Sequence, residues 1–211
     1  GGVADIQLLS TLMQKMILQN GTDAQKAKYL PPLVAGEKIA IIAQTEPGAG
    51  SDVAGIQTTA KPERGGYVLN GTKRFLTCAM LADLAIVVAT VDKSKGHKGI
   101  TLFLVEKGTP GFSTGSKEHL MGVKGMGTSE VVFDNCWVPK ENLLGGEGEG
   151  FKRAMMSLDT GRIGIGCQAV GLAQAAMEEA VRYAKQRTAF GGPIANLQAI
   201  QFMLADMSAG I

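Results

Sequence analysis

The run Thr45-Glu46-Pro47-Gly48-Ala49-Gly50-Ser51-Asp52 carries the densest group of ligand-ready atoms in the chain. It follows Ile39-Ala40-Ile41-Ile42-Ala43, an apolar stretch that reads as a buried strand. Where such a strand turns, backbone N–H groups and hydroxyls come to the surface. Gly48 and Gly50 have no side chains, so a flat or anionic ligand can approach the backbone closely. The same residue types also suit an ordinary tight turn, with Thr45 and Ser51 satisfying local hydrogen bonds. Farther on, strand alternation sets Phe75 and Thr77 on one face and Leu76 on the other. Asp159 and Arg162, three apart in a helical pattern, share a helix face, where an ion pair is the default. Arg187 stands where that pattern ends, placed to complement a helix dipole.

Three kinds of element must position these groups. Residues 1–38 read as helical, with Ile6, Leu9, Leu12, Met13, Met16 and Ile17 at spacings of three and four. A second helix is predicted with Thr22 or Asp23 as N-cap and Ala27, Tyr29 and Leu30 on its apolar side, interrupted by Pro31-Pro32. Residues 39–140 carry short apolar or alternating runs at 39–45, 57–62, 67–77, 84–90, 100–106 and 129–138, punctuated by glycine-containing turns. Asn70-Gly71 is a type I′ hairpin signal. This spacing predicts a closed or nearly closed antiparallel barrel. From about Gly150 the helical period returns, and no proline interrupts Phe151 to Ala189. One helix over most of that span exceeds about 50 Å at ~1.5 Å per residue, which favours a bundle with subunit contacts. Gly191-Gly192-Pro193 then breaks the pattern, with Asn196 as the cap of a further helix. The expected class is α+β: helices, barrel, helices.

Composition narrows the class further. With 211 residues, 45% hydrophobic and 19% charged, the chain is globular, and a net charge of +2 gives no nucleic-acid footprint. No membrane-spanning run or secretory signal stands out. Cys78, Cys136 and Cys167 lack metal-ligand spacing and are expected to be buried free thiols in a reducing compartment. No metal site is expected, and His97 and His119 read as surface residues. The chain opens Gly1-Gly2-Val3 and ends on one marginal helix, so it reads as part of a longer protein.

Four blocks in order, Gln44–Asp52, Leu69–Thr77, Met156–Gly166 and Arg187–Met207, resemble the acyl-CoA dehydrogenase family, most closely its short-chain members. The resemblance implies FAD as cofactor and an acyl-CoA thioester as substrate. It divides the chain into the end of an N-terminal helical domain (1–38), a β-barrel flavin and acyl-CoA domain (39–140), and the first part of a C-terminal helical domain (141–211). It puts Thr45 on the pyrimidine edge of the flavin with Gln44 beside it. Gly50 belongs to the same loop, and Ser51 lies near both the flavin and the pantetheine arm. The aromatic and hydroxyl of Phe75 and Thr77 suit an isoalloxazine ring. Many members have Trp where this chain has Phe75, so less of the flavin is covered here. Leu158 would line the acyl or pantetheine channel, while Asp159 and Arg162 lie beside the bound acyl-CoA, Arg162 near its nucleotide. Arg187, Phe190 and Gln198 resemble residues that reach a neighbouring subunit's FAD, Arg187 at the pyrophosphate and Gln198 on the adenosine side.

The implied reaction is α,β-dehydrogenation, which needs a carboxylate to take the α proton. In most of the family that Glu comes from a later helix, here beyond Ile211. Some branches carry it immediately before the helix arginine, where this chain has Gly161. No catalytic base is therefore expected within the 211 residues, and Glu46 reads as an exposed-loop carboxylate with a structural role. The implied acceptor is an electron-transfer flavoprotein and the implied assembly a homo-oligomer, a dimer of dimers, in bacterial cytoplasm or mitochondrial matrix. An acyl-CoA oxidase-like flavoprotein or a non-catalytic FAD-binding relative are the alternatives.

Overall fold

A computed structural model describes the backbone of residues 2–211 and the side chains of residues 9–159 and 161–211. The chain divides into two compact units, Gly1–Gly161 and Arg162–Ile211.

The first unit begins with α1 (Gly2–Asn20) and α2 (Asp23–Val34). Leu12, Met13, Met16 and Ile17 form the buried stripe of α1 that the spacing predicts, while the Ile6 side chain lies outside the described residues. Thr22 caps α2 through a capping box: its hydroxyl accepts from Gln25 N, and Gln25 Oε1 accepts from Thr22 N. Pro31 and Pro32 do not interrupt α2, which runs through both. Proline fixes φ near the helical value, and each ring forgoes one intrahelical N–H bond in the last turn of a helix that ends at Val34. Tyr29 and Leu33 are its buried apolar residues, whereas Ala27 is exposed.

Seven strands follow: β1 (Ala40–Ala43), β2 (Thr59–Glu63), β3 (Gly66–Leu76), β4 (Leu84–Thr90), β5 (Ile100–Glu106), β6 (Phe112–Lys117) and β7 (Ser129–Pro139). They form two pieces of one curled sheet, β1-β4-β5 and β2-β3-β7-β6, joined where Thr59 pairs with Thr90. The sheet is mixed rather than antiparallel, because β1 and β2 both run parallel to β4. The long connection from β1 to β4 permits this. Among the described residues the outer strands β5 and β6 are not paired, so the barrel is left open.

Strand β4 is buried at all seven positions, as expected where both faces of a sheet are covered. Its residues Ala85, Val87 and Ala89 join Tyr67, Leu69, Phe103, Val131 and Phe133 in the core between the sheet pieces. The alternate residues Leu84, Ile86 and Val88 pack with Met13, Met16, Ile17, Tyr29 and Leu33 beneath α1 and α2.

The hairpin turn falls elsewhere than the sequence suggests. Arg64 (φ 46°) and Gly65 (φ 80°) link the paired Glu63 and Gly66, giving the two left-handed residues a type I′ turn requires. Asn70-Gly71 instead lies within β3 as a bulge against β7. Gly71 (φ 151°) is required there, since a Cβ would stand 2.5 Å from Thr58 Oγ1.

The predicted long helix is present as α3 (Gly150–Gln186), 37 residues without a break. The second unit contains its later part, a two-residue hairpin β8 (Thr188–Ala189) and β9 (Gly192–Pro193), and α4 (Gln198–Gly210). Asn196 sits in a 3₁₀ turn, and Leu197 takes the N-cap position of α4 without a side-chain bond. Among the described residues no helix is long and apolar enough to cross a membrane. Cys78 and Cys136 are buried free thiols as expected, but Cys167 on α3 is exposed.

Candidate cofactor site

The site grows from the place where β1 ends. Glu46 N donates to Ala49 O at 2.9 Å and Ala49 N donates back to Glu46 O at 3.2 Å, closing a tight turn around Pro47-Gly48. Positions where Gly48 and Gly50 would carry a Cβ face open space. Glu46 itself is not an exposed-loop carboxylate. It is 6% exposed, and its Oε1 accepts from Lys73 Nζ at 2.8 Å and Thr58 N at 2.9 Å, while Oε2 accepts from Gln57 N at 2.6 Å. Lys73, fully buried on β3, also donates to Gln44 O at 3.0 Å.

The electrostatics of this pair follow from burial and contact. Desolvation pushes Glu46 upward, but the hydrogen bond and charge of Lys73, with the Thr58 and Gln57 donors, hold its carboxyl below the ordinary value. Burial brings the Lys73 ammonium down to about 8 against the opposing pull of Glu46. A carboxylate with both oxygens occupied by donors is not free to take a substrate proton.

The end of β3 forms the other wall. Arg74 N donates to Thr45 O at 2.8 Å, tying the two segments together. The register against β7 then slips between Lys73 and Leu76, and Phe75 takes φ 58°. This overturns the simple alternation: Leu76 turns into the core, Phe75 stands 56% exposed, and Thr77 begins a turn after the strand has ended. The Arg74 guanidinium lies 4.9 Å from the Phe75 ring centroid and pairs with Glu118.

Gln44, Thr45, Phe75, Thr77 and Leu158 nevertheless converge on one cleft of about 170 Å³ floored by Ile41 and Ile42. Gln44 Oε1 is buried and, among the described residues, without a hydrogen-bond partner. Buried polar atoms are nearly always paired, so this acceptor calls for a donor. An apolar floor, an exposed aromatic, a hydroxyl and an orphaned acceptor fit a flat heteroaromatic ring with polar edges. The volume suits the edge of such a ring system rather than a whole dinucleotide.

The remaining predicted residues are divided between the two units. Gly50 and Ser51 are exposed on the loop beyond the turn. Asp159 and Arg162 are exposed on α3, one turn apart. In the second unit Arg187, Phe190 and Gln198 are all exposed. Phe190 (φ 53°) and Gly191 (φ 82°) make the tip between β8 and β9, and Phe190 is 95% exposed.

Lys73, Arg74 and Glu118 were not anticipated from the sequence. Lys73 had a readable signal, since it continues the inward alternation of Tyr67 and Leu69 on β3, where a cation requires a buried partner. A second cavity, of about 630 Å³, was also missed; His97, Lys98, Lys152 and Arg153 lie along it with one carboxylate, Glu149. The His97 ring packs 5.5 Å from that of Phe151, and Arg153 bonds Glu149 and Asn20.

A curled mixed sheet backed by two helices, with a polar-edged cleft at its rim, defines a sheet scaffold for a planar ligand. Family models for the acyl-CoA dehydrogenase N-terminal, middle and C-terminal domains match residues 2–37, 41–136 and 148–211. The chain is 52% identical over 202 residues to the short-chain specific acyl-CoA dehydrogenase of Megasphaera elsdenii, covering 95% of this chain and 53% of that protein. It is 47% identical to subunit CarC of the caffeyl-CoA reductase–Etf complex of Acetobacterium woodii, covering 98% and 55%. The solved butyryl-CoA dehydrogenase of Megasphaera elsdenii superposes with a TM-score of 0.95 at 50% identity, over 99% of this chain and 55% of that one. The chain belongs to the acyl-CoA dehydrogenase family, whose members are FAD-dependent oxidoreductases. It spans about half the length of the curated relatives it matches.

Proposed function

We propose that this chain carries the flavin-edge portion of an enzyme that interconverts an acyl-CoA thioester and its 2-enoyl-CoA. The observation that carries the reading is the convergence of Gln44, Thr45, Phe75, Thr77 and Leu158 on one cleft with an orphaned acceptor. FAD, when bound, supplies the hydride acceptor; the protein's work is binding, orientation and control of water and protons. Gln44 and Thr45 hold the polar edge of the ring, Phe75 covers it, and Thr77 offers a hydroxyl beside it. Gly50 and Ser51 give the loop that ligand phosphate or pantetheine approaches, and Leu158 bounds the channel for the acyl arm. Asp159 and Arg162 flank the thioester's longer arm. The basic cavity with Lys98, Lys152 and Arg153 fits a phosphate-bearing end of acyl-CoA.

We assign no base within the chain. Gly161 has no side chain to accept a proton, and Glu46 is locked to Lys73. The carboxylate is proposed to lie outside these 211 residues. Arg187, Phe190 and Gln198, exposed in the second unit, are proposed to contact FAD held by a neighbouring copy in a homo-oligomer, a dimer of dimers. The partner in electron transfer is proposed to be an electron-transfer flavoprotein; one similar protein is named as part of an Etf complex. The three segments 1–38, 39–140 and 141–211 are proposed as the N-terminal, flavin-binding and C-terminal portions. The reductase name of that same relative favours a second reading, in which the enzyme runs from enoyl to acyl thioester.

A visible spectrum of the purified chain with FAD, before and after anaerobic butyryl-CoA, tests the assignment. The expected result is a bound flavin band that stays oxidised. Bleaching would show a working base inside the chain, and the absence of a bound band would overturn the cofactor site.

A further inference from the structure

We propose that the buried Lys73–Glu46 pair is a positioning device for the cleft, orienting the Gln44–Thr45 peptide rather than only holding the fold together. The proposal rests on the flavin reading above. Lys73 Nζ draws Gln44 O inward at 3.0 Å. In a planar trans peptide the carbonyl and the following N–H point in opposite directions. Fixing Gln44 O toward Lys73 therefore turns the Thr45 N–H away from the ammonium. The next peptide is fixed in the same manner, with Thr45 O accepting from Arg74 N and Glu46 N donating to Ala49 O. Among the described residues no backbone bond is made by the Thr45 N–H, and the preceding residue carries the unpartnered Gln44 Oε1. One donor and one acceptor at the rim of the cleft are the complement of a ligand edge that also carries both.

The second half of the pair extends the same control. Glu46 binds Gln57 N and Thr58 N as well as Lys73, so one carboxylate joins the ends of β1, β2 and β3. Each of these partners lies next to the cleft segment or to the bulge at Gly71, where the backbone leaves no room beside Thr58. Phe75 and Thr77 follow Lys73 by two and four residues, so the cation sets the start of the turn that presents them. Lys73 and Glu46 touch no substrate in this account; they act through Gln44, Thr45 and the end of β3.

Three variants of this chain separate positioning from stability: Lys73→Met, Glu46→Gln, and the double variant. Amide hydrogen exchange of the ligand-free chain and FAD titration by flavin fluorescence quenching are measured together. Lys73→Met is expected to speed exchange at Glu46, Ala49, Thr58 and Arg74 at least tenfold beyond any change at Val87 and Phe103, and to weaken FAD binding at least tenfold. In the double variant, thermal stability recovers toward wild type while FAD binding and exchange at Glu46 and Arg74 do not. If FAD binding recovers together with stability, the pair is structural only and the proposal fails. It fails equally if exchange at the loop changes no more than in the core. A wild-type chain that quenches no flavin fluorescence defeats the flavin reading alone, and exchange then decides whether the pair orients the loop.

Discussion

The corner built from residues 44–46 and 73–77 and the segment from Arg187 to Gln198 carry ligand-binding residue types to the same degree, yet the chain treats them in opposite ways. At the corner, β1, β2 and β3 are locked by Lys73 and Glu46, and the polar groups around the cleft are held by backbone bonds to their neighbours. In the second unit Arg187, Phe190 and Gln198 are exposed, and the apolar stripe continues past them as Phe202, Met203 and Met207, also exposed. Along α3 the predicted apolar residues Ile165 and Leu172 are 54% and 55% exposed. The first region ties most of its polar groups to its own chain and leaves Gln44 Oε1 and the Thr45 N–H unmet among the described residues. The second displays whole side chains. A site whose geometry comes from one chain can be damaged by internal substitutions, whereas the proposed role of the second segment rests on side chains that are exposed.

The largest test of that contrast is Glu46→Ala. It leaves the Lys73 ammonium buried without its carboxylate, and breaking a buried pair costs about 3–5 kcal/mol. Arg187→Ala, on an exposed side chain, should change stability by less than about 0.5 kcal/mol. Denaturant melts of both variants check the pair of values, and similar losses would erase the distinction. The pH dependence sharpens it. Glu46 is held below its ordinary value near 4.5, so its contribution is full above that pH and disappears as pH falls through the depressed folded value. For Lys73 the sign is the same, in a window on the alkaline side. The folded chain releases its proton near about 8 while the unfolded chain keeps it to 10.5, so this group makes stability rise between those values. Lys73→Met should remove that alkaline rise and shift acid unfolding to higher pH.

Gly71→Ala comes next. A methyl would meet Thr58 Oγ1 at 2.5 Å and Thr58 Cα at 2.7 Å, at a φ of 151° that suits glycine. Overpacking of this kind costs about 1–3 kcal/mol, and it pushes on the residue whose N–H binds Glu46. A thermal melt should show the loss, and an unchanged melt would mean that the β2–β3 contact yields freely.

These positions also mark what could be read in the sequence. Six strands, the long helix and the Thr22 cap were legible because apolar periodicity and capping chemistry are local signals. The strand β6 was not, since Phe112–Lys117 is a polar edge strand that buries little and shows no alternation. Asn70-Gly71 misled because glycine serves a bulge as well as a hairpin turn, and only the packing of Thr58 distinguishes the two. For the site, Gln44, Thr45, Phe75, Thr77 and Leu158 could be named from the sequence and do share a cleft, but how Phe75 reaches it could not be foreseen. That depends on a register slip against β7, a partner more than 50 residues away. Glu46 was misjudged as exposed for the same reason: its burial is created by Lys73, 27 residues on.

Phe190→Gly probes the second region in the opposite direction. The left-handed backbone at φ 53° strains a side-chain-bearing residue, and a 95% exposed ring returns little packing to offset it. Relief of strain is set against the greater freedom glycine has when unfolded, so the net gain is below about 1 kcal/mol. If the ring serves a ligand on another copy, FAD affinity should fall while the melting temperature holds or rises. Loss of stability with no change in FAD affinity would make Phe190 an internal structural residue.

The smallest expected effect on folding belongs to Lys152→Glu at the basic cavity. Lys152 is exposed at the start of α3, so its own contribution to stability is within about 0.5 kcal/mol. Its reversal also places a carboxylate near the helix N-terminus, where the dipole favours negative charge, which further limits any loss. The cavity's lining charge, three cations (Lys98, Lys152, Arg153) against Glu149, however, falls by two and is left with no net positive charge. Affinity for coenzyme A should therefore drop several-fold at low salt, with the difference shrinking as ionic strength rises. FAD binding at the cleft of Gln44 and Thr45 should stay the same. Isothermal titration with each ligand separates the two cavities: if FAD affinity falls in step with that for coenzyme A, they are not independent and the basic cavity acts on the cleft rather than on a phosphate of its own.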